Sequence, residues 1–308
     1  MKFSVLIAAY QAGRFLPSAL QSVRAQEHED WELVVVEDGS RDGTEDLVRA
    51  FADGESRRVQ YENLGTNRGV AAARNRLLAL AQGEVLAFLD ADDRWTPRHL
   101  LRARETLEGG ADLVAARLQT FDLASARELE TYAPPPGFFA GPVRGLFERS
   151  AIMTSSCVAL RRSLVEQAGR FDEAFCVGED RDYWLRCALL GARFAETGEV
   201  TCHYAKHADS AMARTLVWAQ QEVAFFEKHR SLAGVPVALR RARLTDALLN
   251  FGRLLRAADP RRSAEILWRA WRTSPARLAV LPHLVFSVLT ALRPRAAVPG
   301  WHREDDHR

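Results

Sequence analysis

The sequence predicts an α/β fold: a mainly parallel sheet flanked by helices, followed by a C-terminal helical extension. Three observations predict it. Wholly apolar runs of strand length alternate with helix-spaced segments through the first hundred residues, and acidic clusters follow two of those runs. From Trp218 onward the pattern is helical and rich in arginine. Strand–helix alternation implies a parallel sheet covered by helices, and such sheets bind ligands at the carboxyl ends of their strands.

Phe3–Ala8 is an apolar run broken only by Ser4, as a strand buried on both faces should be. Phe15, Leu16, Ala19, Leu20 and Val23 recur at helical spacing. Leu33–Val36 is a second buried strand, running into Glu37-Asp38-Gly39-Ser40. Asp42 and Glu45 then supply the N-terminal signature of a helix, Asp42 capping and Glu45 bonding back. A short strand at Val59–Tyr61 precedes the alanine-rich helix Val70–Ala81. Val85–Leu89 is another apolar strand and runs into Asp90-Ala91-Asp92-Asp93. Thr96-Pro97 opens a helix, with Thr as cap and Pro at the first helical position. Leu113–Leu118 reads as a strand, and Tyr132–Gly141, with three consecutive prolines, as a loop. We place a domain boundary near residue 214, giving domains 1–214 and 215–308. In the second, Leu267, Trp268 and Trp271 are spaced as a packing face, and Trp301–Arg308 reads as a disordered tail.

At 308 residues the chain is long enough for a full α/β core plus an appendage. A net charge of +2 argues against nucleic acid as partner. Cys157, Cys176, Cys187 and Cys202 lie far apart without metal-ligand spacing and read as reduced cytosolic thiols. Met1–Ile7 has neither the apolar length nor the cleavage site of a signal peptide. The apolar stretch Leu278–Leu292 is interrupted by Pro282 and His283 and is too short for a bilayer span. These readings predict a cytoplasmic protein. With Arg277, Arg293 and Arg295 flanking that stretch, peripheral contact with the membrane stays open.

Five segments carry residues suited to chemistry. Asp90, Asp92 and Asp93 are hard oxygen donors that suit Mg²⁺ or Mn²⁺ on a diphosphate, or form a solvated capping turn. Glu37-Asp38 is suited to accept hydrogen bonds from a base or ribose, or again to cap a helix. In Asn67-Arg68-Gly69…Arg74-Asn75 the glycine allows close backbone approach and the helix start favours negative charge. The alternative there is an ordinary packing helix. Glu179-Asp180 in Gly178-Glu179-Asp180…Trp184-Leu185-Arg186 opens a helix, where acids also serve as dipole partners. His207 follows a strand in a polar stretch, as a ligand or as a structural histidine.

Taken together and in this order, these segments are distinctive. Val5-Leu6-Ile7-Ala8-Ala9-Tyr10, Val36-Glu37-Asp38-Gly39-Ser40, Asn67-Arg68-Gly69…Arg74-Asn75 and Phe88-Leu89-Asp90-Ala91-Asp92-Asp93 resemble the family 2 glycosyltransferases of the GT-A fold. Gly169-Arg170-Phe171-Asp172-Glu173 and Gly178-Glu179-Asp180…Arg186 resemble that family's acceptor-side half. The resemblance covers roughly residues 1–212. It implies a GT-A-like nucleotide-binding sheet and an inverting transferase that takes a sugar from a nucleotide-sugar, most often UDP-linked, with Mn²⁺ or Mg²⁺ as cofactor. The acceptor it implies is a glycan, lipid-linked or other hydroxyl compound.

Residue by residue, the resemblance places the donor nucleotide at Ala8, Tyr10, Glu37, Asp38, Arg74, Asp90 and Ala91. It places the metal at Asp92 and His207, the catalytic base at Asp180, and the acceptor at Glu179 and Trp184. Two departures stand out. The family commonly has Pro-Thr-Tyr-Asn where this chain has Ala8-Ala9-Tyr10-Gln11, and Asp-Asp where it has Glu37-Asp38, so which acid meets the base stays open. Two other classes remain to be separated by experiment: a non-catalytic nucleotide- or glycan-binding module, and a sugar nucleotidyltransferase. The C-terminal helices are open to packing over the acceptor site, forming a homodimer, or docking on a membrane.

Overall fold

The computed structural model describes residues 1–125, 127–207, 215–275 and 277–291. Residue 214, where the sequence places the boundary, and the tail Trp301–Arg308 lie outside them. β1 (Phe3–Ala9) and β2 (Trp31–Glu37) are buried almost throughout, which is why neither alternates with polar residues. Between them α1 (Leu16–Arg24) turns Leu16, Ala19, Leu20 and Val23 inward, the face the sequence marks. Phe15 sits just before that helix, half-buried, with its ring 4.8 Å from that of His207.

α2 (Thr44–Asp53) begins where expected. The Asp42 carboxylate accepts from Thr44 Oγ1 at 2.8 Å and from its N–H at 3.3 Å. Glu45 does not bond back; it pairs with Arg49 one turn later. β3 (Val59–Asn63), α3 (Val70–Leu80), β4 (Val85–Phe88) and the two-residue β5 (Arg94–Trp95) follow. α4 (His99–Glu108) corrects the Thr96 cap. Its first residue comes three later, and Thr96 contributes only its carbonyl, which accepts from His99 N–H at 3.1 Å and Gln26 Nε2 at 2.8 Å.

Next come β6 (Leu113–Asp122), β7 (Glu128–Tyr132), α5 (Pro142–Glu148), β8 (Val158–Arg161), α6 (Arg162–Ala168), α7 (Glu179–Leu189) and β9 (Phe194–Lys206). The sheet runs β3-β2-β1-β4-β8-β6-β9-β5, with β7 on the free side of β6. β3, β2, β1 and β4 are parallel, as alternation with helices predicts. Beyond β4 the pairing is mixed: β8 is antiparallel to β4 and β6, whereas β9 is parallel to β6.

Register is what positions the site. Ala9 pairs with Glu37, and Leu6 pairs with Phe88. The segments after β1, β2 and β4 therefore emerge side by side at carboxyl ends, where strand order departs in both directions from β1. Gly39, in the turn after β2, packs against the loop between β3 and α3. It has φ 80°, and a Cβ there would lie 2.4 Å from the Thr66 carbonyl carbon, so only glycine fits.

Contacts divide the chain into a unit Met1–Gln221 and a second from Glu222 onward, a division that falls inside α8 (Thr215–Lys228). The second unit contains α9 (Val237–Leu255), α10 (Pro260–Thr273) and α11 (Val280–Ala291). Asp259 caps α10 by accepting from Arg262 N–H at 3.0 Å, with Pro260 in the first turn. The buried face of α10 is Ser263, Ile266, Leu267 and Ala270. Trp268 is not on it and stands exposed, because successive helical residues point about 100° apart.

Candidate active site

The acidic turn after β4 gives its three carboxylates three different tasks. Asp93 is buried; it accepts from Ser156 Oγ at 2.5 Å and from Ala205 N–H at 2.9 Å, tying the turn to β9. Burial, with Asp92 and Asp90 nearby, holds its carboxyl well above the usual carboxylate range. Asp90 accepts from Arg74 Nη2 at 2.9 Å and Thr154 Oγ1 at 3.0 Å, and its own N–H donates to Ser156 Oγ at 2.9 Å. Asp92 points elsewhere: its Oδ2 lies 2.9 Å from His207 Nε2.

The second group gathers around Arg74, in the second turn of α3. Its guanidinium is buried and forms ion pairs with Asp90 and with Glu179 at the start of α7. Opposite charges raise its pKa although burial opposes this, so it is a fixed cation. Asp180 is half-buried beside it; Oδ1 accepts from Arg181 N–H at 2.7 Å and Oδ2 lies 3.4 Å from Ser155 Oγ. Burial raises the Asp180 carboxyl and Arg74 pulls it back. Burial pushes Glu179 up to about 7 in spite of Arg74. One arginine thus joins three segments, α3, the turn after β4 and the start of α7, the last of them 105 residues along the chain from it.

Sequence reasoning missed Thr154, Ser155 and Ser156. They form a tight turn (Ser155–Cys157) before β8, whose hydroxyls meet Asp90, Asp93 and Asp180. The signal was three consecutive small hydroxyl residues immediately before the apolar Cys157–Leu160 run.

Of the residues that the resemblance assigns to the nucleotide, Tyr10 is exposed and Ala8 half-exposed at the end of β1. Gln11 adopts φ 51°, and its N–H donates to Ser40 Oγ at 3.0 Å. Glu37 is buried, accepting from Tyr61 OH at 2.9 Å and from Ser40, and desolvation raises its carboxyl pKa. It faces the interior. Asp38 accepts from the backbone N–H groups of Arg68 and Gly69, both at 2.7 Å, and is itself buried. The structure therefore gives Asp38 a loop to hold, the Asn67–Gly69 turn. Asp38→Ala is expected to destabilise the protein by about 2–4 kcal/mol, because two N–H groups lose a charged acceptor. A thermal melt reads it; an unchanged Tm would mean the turn holds without this carboxylate.

Two acceptor expectations meet a physical correction. Trp184 is fully buried, its ring 5.7 Å from Phe88 and 5.4 Å from Tyr183, and it packs the core under α7. Glu179 is likewise buried and its carboxylate is taken by Arg74. Ala91 is buried beneath the acidic turn and offers the cleft no side chain.

Asp92 and His207 open on a cleft of about 470 Å³, whose walls include Arg14, Phe15, Arg94 and Phe121. Burial and the charge of Asp90 raise the Asp92 carboxyl, as expected where a cation would be welcome. Among the described residues no three His, Cys, Asp or Glu side chains converge as a complete cation cage. Two donors meeting at one point fit a divalent ion that takes its other ligands from phosphate and water.

This arrangement, with acids at adjoining strand ends and a buried arginine between them, coincides with the family comparison. The family model described as Glycosyl transferase family 2 matches residues 4–169. The chain belongs to glycosyl transferase family 2. The matched segment contains the turns after β1, β2 and β4, α3 and the Thr154–Ser156 turn, while Asp180 and His207 lie beyond it.

Among relatives, this glycosyltransferase chain is similar to the succinoglycan biosynthesis protein ExoU of Rhizobium meliloti (strain 1021), 32% identical over 203 residues. The match takes in 62% of this chain and 58% of that protein. Its fold is similar to that of S. aureus TarS 1–349 in complex with UDP-GlcNAc, with a TM-score of 0.68 at 19% identity, covering 94% of this chain and 88% of that one. It is also similar to the mannosyltransferase PcManGT from Pyrobaculum calidifontis in complex with GDP-Man and Mn²⁺, with a TM-score of 0.60 at 20% identity, covering 96% and 88%. At such identities the likeness establishes the GT-A fold.

Proposed function

We propose that this family 2 chain is an inverting glycosyltransferase, moving a sugar from a UDP-linked donor to a hydroxyl acceptor in polysaccharide synthesis. One observation carries the reading: Arg74 joins the Asp90 turn to Glu179, and so brings Asp180 to the same cluster. The nucleotide lies along Ala8, Tyr10 and the turn that Asp38 holds, with Asp90 toward its ribose. Asp92 and His207 hold Mn²⁺ or Mg²⁺, which, when bound, neutralises the charge growing on the departing diphosphate.

An acceptor hydroxyl has a pKa far above neutrality and must lose its proton as it attacks. Asp180 receives that proton. Attack occurs on the face opposite the leaving group, so one displacement inverts the anomeric centre. Arg74 favours the ionised form of Asp180 against the burial that raises its pKa. The serine and threonine hydroxyls of the 154–156 turn fix the carboxylates in position.

A panel of nucleotide-sugars, hydrolysed in the presence of Mn²⁺ or Mg²⁺, tests the class and names the donor. Nucleoside diphosphate is the expected product; pyrophosphate would mean a nucleotidyltransferase, and no turnover with any donor a binding module. Asp92→Ala is expected to remove the gain in nucleotide affinity that Mn²⁺ gives over EDTA, measured by calorimetry. Equal wild-type affinity with and without the ion would end the metal assignment.

A further inference from the structure

The second unit carries an apolar surface that the catalytic reading leaves unused. Leu278 is 67% exposed, Val285 55%, Phe286 52% and Leu289 58%. Pro282, Val285, Phe286 and Leu289 recur at helical spacing and form one stripe along α11, and Leu278 stands exposed in the turn just before the helix. The helix cannot roll to hide it. Its other face is fixed by buried Val280 and by Ser287, whose Oγ lies 3.1 Å from Arg256 Nε and 3.0 Å from Ser263 Oγ. A surface helix should be polar on its outer side; this one is apolar there.

The charge around the stripe selects its occupant. Residues 222–291 contain twelve Arg and Lys against five Asp and Glu, whereas residues 1–221 contain 26 against 32. The near-neutral total therefore conceals a strongly basic second unit. Arg256 lies against the stripe, its guanidinium 4.9 Å from the Phe286 ring centre. Burial lowers the His283 pKa, and the charges of Arg253 and Arg256 lower it further, so their field reaches α11. A second copy would set one basic surface against another of the same sign. An anionic surface with an apolar layer beneath meets both features.

We propose that the α11 stripe docks this chain on anionic lipid bilayers, with Leu278, Val285, Phe286 and Leu289 in the headgroup–acyl boundary and the arginines among the phosphates. The contact is interfacial, since no described helix is long and apolar enough to cross a membrane. It is independent of the donor and base assignments.

The test is flotation of the full chain with vesicles of phosphatidylcholine alone or mixed with phosphatidylglycerol. Wild type is expected to float with the mixed vesicles, not with the neutral ones, and to be released by salt. Phe286→Asp with Leu289→Asp should lower the bound fraction more than about tenfold, and Arg253→Glu about tenfold. All three changes are at exposed positions, so donor hydrolysis should match wild type. Val285→Ser with Leu289→Ser gives a milder second pair should the aspartates disturb the fold. Wild type that ignores anionic vesicles, or aspartate variants that bind as well as it does, would overturn the proposal. So would sedimentation showing a dimer that the aspartate pair splits while no vesicle is bound.

Discussion

Asp180→Asn is expected to lower kcat by about 10²–10⁴-fold, the usual contribution of a positioned base, while nucleotide affinity stays at the wild-type value. The substitution is nearly isosteric and keeps the Oδ1 contact with Arg181 N–H. It removes the ability to take a proton, together with one negative charge beside Arg74. The pH profile separates this from a structural defect. Burial raises the Asp180 carboxyl above the usual carboxylate range, and a base works only when ionised. In the wild type kcat/KM therefore falls as pH drops through that raised pKa, with a limb that belongs jointly to Glu179 and Asp180. The Asn variant should lose the limb along with the rate. A fall of less than about tenfold would remove Asp180 as the base.

Arg74→Ala should be the most destabilising single change in the site. It leaves Asp90, Glu179 and Asp180 together without their buried counter-charge, at a cost of about 3–5 kcal/mol. At about 2–4 °C per kcal/mol for a domain of this size, Tm should drop on the order of 10 °C. Lysine should restore only part of it, since an ammonium cannot bridge two carboxylates as the planar fork does.

The pH dependence carries the sign of the argument. Carboxylates whose folded-state pKa is raised cost nothing when protonated. Their penalty appears as pH rises past the unfolded value, near 4.5 for Glu179, and is complete above the folded value, about 7 in the wild type. Without Arg74 that folded value rises further, so the Glu179 contribution to the gap in Tm between variant and wild type should grow as pH rises above about 7. A gap that does not change across that range would show that Arg74 acts through packing alone.

Most of the parallel half of the sheet was legible because a strand buried on both faces must be largely apolar, as β1, β2 and β4 are despite Ser4 and Glu32. The acidic turns were legible because carboxylates cost too much to place at strand ends without use or solvent. Partners were not. Asp38 and Glu37 look equally available in sequence, yet both carboxylates are already engaged, one by a loop backbone and the other by Tyr61 and Ser40. Trp184 looks like a surface for a sugar, and it is core because α7 turns that face inward against Phe88 and Phe171. Trp268 errs the other way: one position along from buried Leu267, it faces out.

The sequence by itself determined which chemistry was present: the order of strands and acids, the family they belong to, and the helical character of the C-terminal third. All three are local properties, set by hydrophobic period and by motif spacing along the chain. Only the tertiary structure decided which charges meet. The bond between Arg74 and Glu179 spans 105 positions, and that between Asp92 and His207 spans 115. Contacts at that range depend on sheet order and register, and neither period nor spacing records which strand will lie beside which.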